Sequence, residues 1–294
     1  MTLSARLLAA ALLVGAVTVS APLTATSAQA ADAAELAAAD ALWAQRVDQA
    51  KLREALAAYE KIAASDPTNR YVLGQLTRGW YFLGDGHLTD KQEKIDTWAV
   101  AMTWGDKCLA LNADYGTRLA GGEKPKDAGT SLGKDEVPCM YWYATALGKW
   151  GKIQGIAKAL ANLPTVKAFI GRVEELDPTY FFYGPARYWG AYYAVLPSFA
   201  GQDLGKSAQY FQASIDGAPG YLATRGLRAE NLATKSQDVA TFRSDIAYIL
   251  AFDATSIPEV QPENTLEQAK AKALLAQEGE LFDKKVIEAY EASH

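Results

Sequence analysis

The sequence predicts an all-α protein, with irregular helix-turn-helix pairs stacked into one compact solenoid. Three observations carry that expectation. Ala, Leu, Lys, Glu and Gln, all good helix formers, dominate the chain after residue 30. Period-2 alternation is scarce, while apolar residues recur at helical spacing. Three amphipathic stretches close in a related way, at Ser65-Asp66-Pro67, Leu176-Asp177-Pro178 and Gly217-Ala218-Pro219.

Taken in order, a first helix is expected over 35–47 and a second over 51–64, where Leu52, Leu56, Tyr59 and Ala63 share one face. The second stops at Pro67, since proline disfavours a helical residue before it. A third runs over 71–83 and closes at Gly84-Asp85-Gly86. A long fourth, over 90–111, carries Ile95, Trp98, Met102 and Leu109. Residues 116–138 hold Gly121, Gly122, Gly129, Gly133 and Pro125 among alternating charges, and read as a long mobile loop. Helices resume over 140–150, 153–163 and 166–176. Another begins at Pro185, which suits a first turn because its missing amide hydrogen is not needed there, and ends at 196. The remainder reads as helices over 203–216, 221–233, 238–252 and 265–290. An amphipathic helix closing near a proline, followed by another helix, is the pattern of tetratricopeptide repeats. The 41 residues from Pro178 to Pro219 exceed the ~34 of a regular repeat, so the stacking is irregular.

The N-terminus has its own logic. Arg6 precedes an apolar run over 7–19, and small residues then lead to Ala28-Gln29-Ala30, which has the form of a signal-peptidase site. Cleavage after Ala30 leaves residues 31–294 as the mature chain. The other reading of this run is an uncleaved anchor. Export makes a Cys108–Cys139 disulfide admissible, whereas a cysteine nucleophile lacks a plausible histidine partner. No cysteine lies near the cleavage site to take a lipid. The net charge of −5, from 34 acidic and 29 basic residues without a long basic run, speaks against nucleic acid as a partner. With two histidines, His87 and the terminal His294, a histidine-built metal centre or triad is nearly excluded, and no metal or cofactor is expected.

Residues 141–193 hold 13 of the chain's 31 aromatic residues, where even spreading would place five or six. One reading is core packing between helices. The other is an aromatic-lined groove or channel for an apolar or amphipathic ligand, favoured by the many tyrosines, whose buried hydroxyls need partners. Arg187 lies among these rings. Its partner is either an internal acid, with Asp177 and Asp203 as candidates, or the head group of an anionic ligand. The stretch 200–207 imitates a phosphate-binding loop but lacks the preceding strand, so Asp203 reads as a helix start instead. No hydrolase elbow, zinc-protease helix or calcium loop occurs. Nothing in the spacing of the acids points to a carboxylate hydrolase, and the protein is not expected to be an enzyme.

Several motifs then align with a known family. Met140-Tyr141-Trp142-Tyr143-Ala144-Thr145-Ala146-Leu147-Gly148-Lys149-Trp150, Glu175-Leu176-Asp177-Pro178-Thr179-Tyr180, the stretch 183–197, Gly201-Gln202-Asp203-Leu204-Gly205-Lys206-Ser207 and Pro262-Glu263-Asn264 together resemble the T component associated with TRAP (tripartite ATP-independent) transporters, the TatT family. The resemblance implies an all-helical, irregular tetratricopeptide-like periplasmic protein. It also implies a solute-binding P component as partner, a homotrimer and a hydrophobic pore through each protomer. Trp142, Trp150, Tyr183, Arg187, Trp189 and Tyr193 lie in the matching motifs and are the expected lining of that pore. The chain departs from the family pattern in lacking a lipid-attachment cysteine. The alternative function is a stand-alone periplasmic interaction scaffold with no ligand.

Overall fold

The computed structural model describes residues 23–293; the apolar run over 7–19, with most of the expected signal peptide, lies outside them. Every regular element among the described residues is helical. Helices α1 (Leu23–Trp43) and α2 (Gln49–Ser65) form a hairpin, and α3 (Arg70–Phe82) packs on α2 and on α4 (Lys91–Leu109). Short α5 (Ala113–Ala120) and α6 (Pro125–Ala128) lead to α7 (Val137–Gln154), which packs against α3 and α4 and pairs with α8 (Ile156–Leu176). Helix α9 (Tyr180–Val195) pairs with α10 (Leu204–Gly217). The chain continues through α11 (Ala223–Leu227), α12 (Thr234–Ser236), α13 (Val239–Ala251), α14 (Gln261–Leu275), α15 (Glu278–Leu281) and α16 (Lys284–Ser293).

The helix starts follow local chemistry. Asp48, Asn69, Asp90, Asn112, Asp203 and Asp238 each accept a hydrogen bond from a backbone amide of the first turn they precede, which satisfies donors the helix cannot. Asp203 is therefore a cap, as its context suggested. Leu52, Leu56, Tyr59 and Ala63 are all buried and face the main core, which extends through α3, α4, α7 and α8. A second cluster joins α13, α14 and Phe282. Its buried Asp245 takes Arg225 at 2.8 Å and Arg228 at 2.7 Å.

Several expectations are corrected. Residues 116–138 are not one long loop: α5, α6 and two 3-10 turns fill them. The charges that suggested solvation bind the segment to itself. Arg118 donates to Glu123 Oε2 at 2.6 Å, to the Asp127 carbonyl at 3.0 Å and to Thr130 Oγ1 at 2.9 Å. Buried Glu136 accepts from Arg70 and from the Gly133 amide. The two helices expected over 153–176 are one, continuous through Pro164. The last expected helix breaks into α14, α15 and α16. The end of α3 does not stop at its glycines but widens into a π-turn, Leu83–His87, and a second π-turn covers Arg228–Ala233.

Residues 180–196 hold the least regular backbone. Phe181, Phe182 and Tyr183 have φ of 46°, 56° and 56°, a short left-handed turn. Bulky residues seldom adopt this region, at a cost of roughly 1–2 kcal/mol each. The regular right-handed part of α9 begins after it, so Pro185 does occupy a first turn.

Candidate functional site

A cavity of about 700 Å³ lies between α3, α7, α8, α9, α11 and α14. That is ample for a small ligand. Its long wall is one face of α7, where Tyr141, Trp142, Thr145, Gly148, Lys149 and Lys152 follow helical spacing. Helix α9 supplies Arg187, Tyr188, Ala191, Tyr192 and Val195 on the same principle. Gly148 is required here, because a Cβ would stand 2.7 Å from the Tyr188 hydroxyl. The two π-turns also border the space and deliver Asp85, Glu230 and Asn231 to its wall.

The two ends differ. At one end the walls are sealed: Tyr141, Trp142, Arg187, Tyr221 and Glu263 are each no more than 6 % exposed. At the other, Ile156 and Val195 line the cavity and are also open to solvent. The walls between are mostly aliphatic, from Leu160, Leu163 and Val166 of α8 to Leu227 and Leu274.

Most of the charges are internally balanced. Asp85 takes Lys149 at 2.6 Å and Lys270 at 2.9 Å, and Lys270 also reaches Glu267 at 2.8 Å. Burial opposes the Asp85 carboxylate, but the two lysines outweigh it and hold its pKa well below the usual range. Glu263 accepts from Arg46 at 2.6 Å and from Arg78 at 2.7 Å. Arg187 is different. It donates to the Phe182 carbonyl at 2.9 Å, the Phe181 carbonyl at 3.1 Å and the Tyr141 hydroxyl at 2.9 Å, all neutral acceptors. Its guanidinium lies 4.4 Å from the Tyr221 ring centre. Neither Asp177, which turns back onto Thr179, nor Asp203, which caps α10, pairs with it. The backbone that carries Tyr221 is held by buried Asn264, which accepts from the Leu222 amide at 3.0 Å and donates to the Gly220 carbonyl at 2.9 Å.

Of the six expected lining residues, Trp142 and Arg187 face this cavity. The other four pack elsewhere. Trp189 is buried and donates to Glu174 at 2.8 Å, and Tyr193 stacks on Tyr210. Tyr183 rests on Gly217, and Trp150 lies beneath Lys158. Trp189 and Tyr193 occupy the face of α9 opposite the cavity. Tyr141, Thr145, Gly148 and Lys149 belong to the same motif as Trp142 and line the cavity beside it, whereas Trp150 of that motif does not. Glu263 likewise lies in Pro262-Glu263-Asn264. Arg78, Tyr81 and Asp85 of α3 and its π-turn carry no comparable signal. A smaller cavity of about 380 Å³ lies across Arg78 and Trp142, which belong to both walls. Cys108 and Cys139, with Cα atoms 6.0 Å apart, have their sulfurs at bonding distance and join α4 to α7.

The described residues thus form an all-helical body around a mostly apolar cavity with a buried cation at its closed end. No group of His, Cys, Asp and Glu among the described residues is placed to hold a metal. Residues 101–282 match the family model of the TRAP transporter T-component, and the chain belongs to that family. The match spans the cavity walls supplied by α7, α8, α9 and α14. Membership makes the protein an accessory of TRAP transport. No helix of the described residues is long and apolar enough to cross a membrane. No curated protein matches the chain.

Proposed function

We propose that the protein works in the periplasm, after removal of residues 1–30, as the accessory component of a TRAP-type system. It binds the solute-binding P component and holds an apolar or carboxylated ligand in the cavity between α7, α8, α9 and α14. The observation that carries this reading is the cavity itself: about 700 Å³, with a largely apolar lining, open at Ile156 and closed at Arg187. Any passage to the smaller cavity runs between Arg78 and Trp142, which separate the two. The family expectation of a trimer, with tetratricopeptide-like surfaces for the partner, belongs to the same proposal.

The test is co-purification of the exported protein with a P component from the same genome, followed by native mass spectrometry. A trimer that retains an apolar or carboxylated molecule, and loses it when Leu163→Trp fills the cavity, is the expected result. A folded protein that never retains a small molecule would sink the ligand half of the proposal. The second reading is an interaction scaffold without a ligand. Its support is the packing of Trp150, Tyr183, Trp189 and Tyr193 into helix contacts rather than the cavity wall. It predicts partner capture unaffected by Leu163→Trp.

A further inference from the structure

The closed end of the cavity combines several features that a purely apolar container does not need. Arg187 is 5 % exposed, lines the wall and has no carboxylate partner among the described residues. Three of its five N–H donors are committed to the Phe181 and Phe182 carbonyls and the Tyr141 hydroxyl, leaving two. An isolated charge away from water is costly unless it is paired. The ring of Tyr221 offsets part of that cost. The Tyr141 hydroxyl accepts from Arg187 and keeps its own proton to donate. The Tyr221 hydroxyl has no hydrogen-bond partner among the described residues, and burial keeps it protonated well above the ordinary phenol range. The Arg187 guanidinium, the Tyr141 hydroxyl it touches and Tyr221 therefore line one end of the cavity, where Arg187 has no carboxylate partner among the described residues.

Lys149 and Lys270 are balanced by Asp85 and Glu267 together. Arg46 and Arg78 share Glu263, which leaves the closed end positive on balance, but both guanidinium groups already hold a carboxylate, as Arg187 does not. Lys152 lies nearer the mouth, where burial lowers the pKa of its ammonium and Glu230 opposes that, and it reaches Asn231 at 3.5 Å. From Tyr141 to Lys152 the cavity face of α7 rises about 16 Å. Over that length α8 offers a largely aliphatic wall, from Val166 through Leu163 and Leu160 to Ile156, while the internally paired Asp85, Lys270 and Glu267 lie on another.

We infer that the cavity takes an elongated monocarboxylate amphipath. Its carboxylate seats inward against Arg187 and the hydroxyls of Tyr141 and Tyr221, and its hydrocarbon tail lies along α7 toward the mouth at Ile156. This rests on the reading of the cavity as a ligand site and adds the chemical class, the orientation and the head-group residues. The rise of α7 fits a chain of about twelve carbons.

The experiment is calorimetric titration of the exported protein with straight-chain carboxylates from hexanoate to hexadecanoate. 1-Decanol and decyltrimethylammonium serve as probes of matched length. One site per chain is expected, with affinity peaking near dodecanoate and decanoate preferred over both decyl probes by about tenfold or more, as a charge-assisted bond requires. Arg187→Gln should bring decanoate down to the level of decanol while circular dichroism shows an intact helical protein. Because Arg187 also holds the turn at Phe181, Tyr221→Phe gives an independent reading: it keeps the ring and should lower the preference for carboxylate several-fold. Leu160→Trp should shift the optimum to shorter chains without changing the preference for carboxylate. Equal affinity for decanoate and decanol in the unaltered protein overturns the head-group assignment and leaves the ligand site standing. Full carboxylate preference in both Arg187→Gln and Tyr221→Phe overturns it as well. Absence of binding by every chain overturns the ligand site and this inference together.

Discussion

Glu263 shows how one side chain ties distant segments into a wall. It is buried, and it accepts from Arg46, 217 residues earlier, and from Arg78. Removing its charge while keeping its shape leaves two buried guanidinium groups to share a neutral amide. Glu263→Gln is therefore expected to cost ~3–5 kcal/mol, the range for breaking a buried pair from one side, read by urea unfolding. Its pH dependence has a defined sign. Burial would raise the Glu263 carboxyl, but Arg78 and Arg46 outweigh it and hold the folded value below the ordinary 4.5. A depressed folded value contributes stability that is present above 4.5 and lost as pH falls through the folded value. Asp85, depressed by its two lysines, acts in the same direction. The melting temperature should thus stay level on this account down to about pH 4.5 and fall below it. Glu263→Gln should flatten that fall; an unchanged slope would show that the triad is not its source.

At the scale of the element, the left-handed turn before α9 joins the two halves of the cavity wall. Phe181 packs on Trp142 and under Arg78, Phe182 stacks on Tyr221, and Tyr183 rests on Gly217. Local preference argues against such a turn. It persists because Arg187 donates to two of its carbonyls and because its rings are packed on three sides. Gly184, just after the turn, lets the Tyr141 ring approach so closely that a Cβ would lie 2.7 Å from it. Gly184→Ala is expected to displace the Tyr141 hydroxyl from Arg187 and cost ~1–3 kcal/mol through overpacking. It should weaken carboxylate binding more than alcohol binding, measured on the same protein by calorimetry. Equal weakening of both would place the effect in packing alone. Helix α9 also explains why only part of the expected lining meets this cavity. Rings occupy both of its faces, with Tyr188 and Tyr192 toward the cavity and Trp189 and Tyr193 toward Tyr210. Helical periodicity separates the two faces, but it does not say which one a neighbouring helix covers.

At the scale of the whole molecule, Cys108 and Cys139 join α4 to α7 across 31 residues that include α5, α6 and Glu136. Closing a loop of that size restricts the unfolded chain. The double change to serine should therefore lower stability by about 3–4 kcal/mol on the chain-entropy account. Non-reducing mass spectrometry of the exported protein should show two fewer hydrogens than the reduced form. Finding both thiols free would remove the bridge from the description.

Helix starts and the density of rings over 141–193 were legible in the sequence because they depend on neighbours within a turn or two. An aspartate or asparagine caps the next turn whatever the rest of the chain does, and a helical spacing of apolar residues needs only its own period. The same reasoning misread 116–138, since glycines and charges look alike whether they are solvated or bound to one another as Arg118 and Glu123 are. Tertiary packing alone decided that Asp85 would meet Lys270, 185 residues away, and that Arg78 and Glu263 would close one end of a cavity. It also decided that Arg187 would meet no acid among the described residues. Ion pairs between remote segments and the absence of one are properties of how helices are stacked, and no local pattern encodes which faces meet.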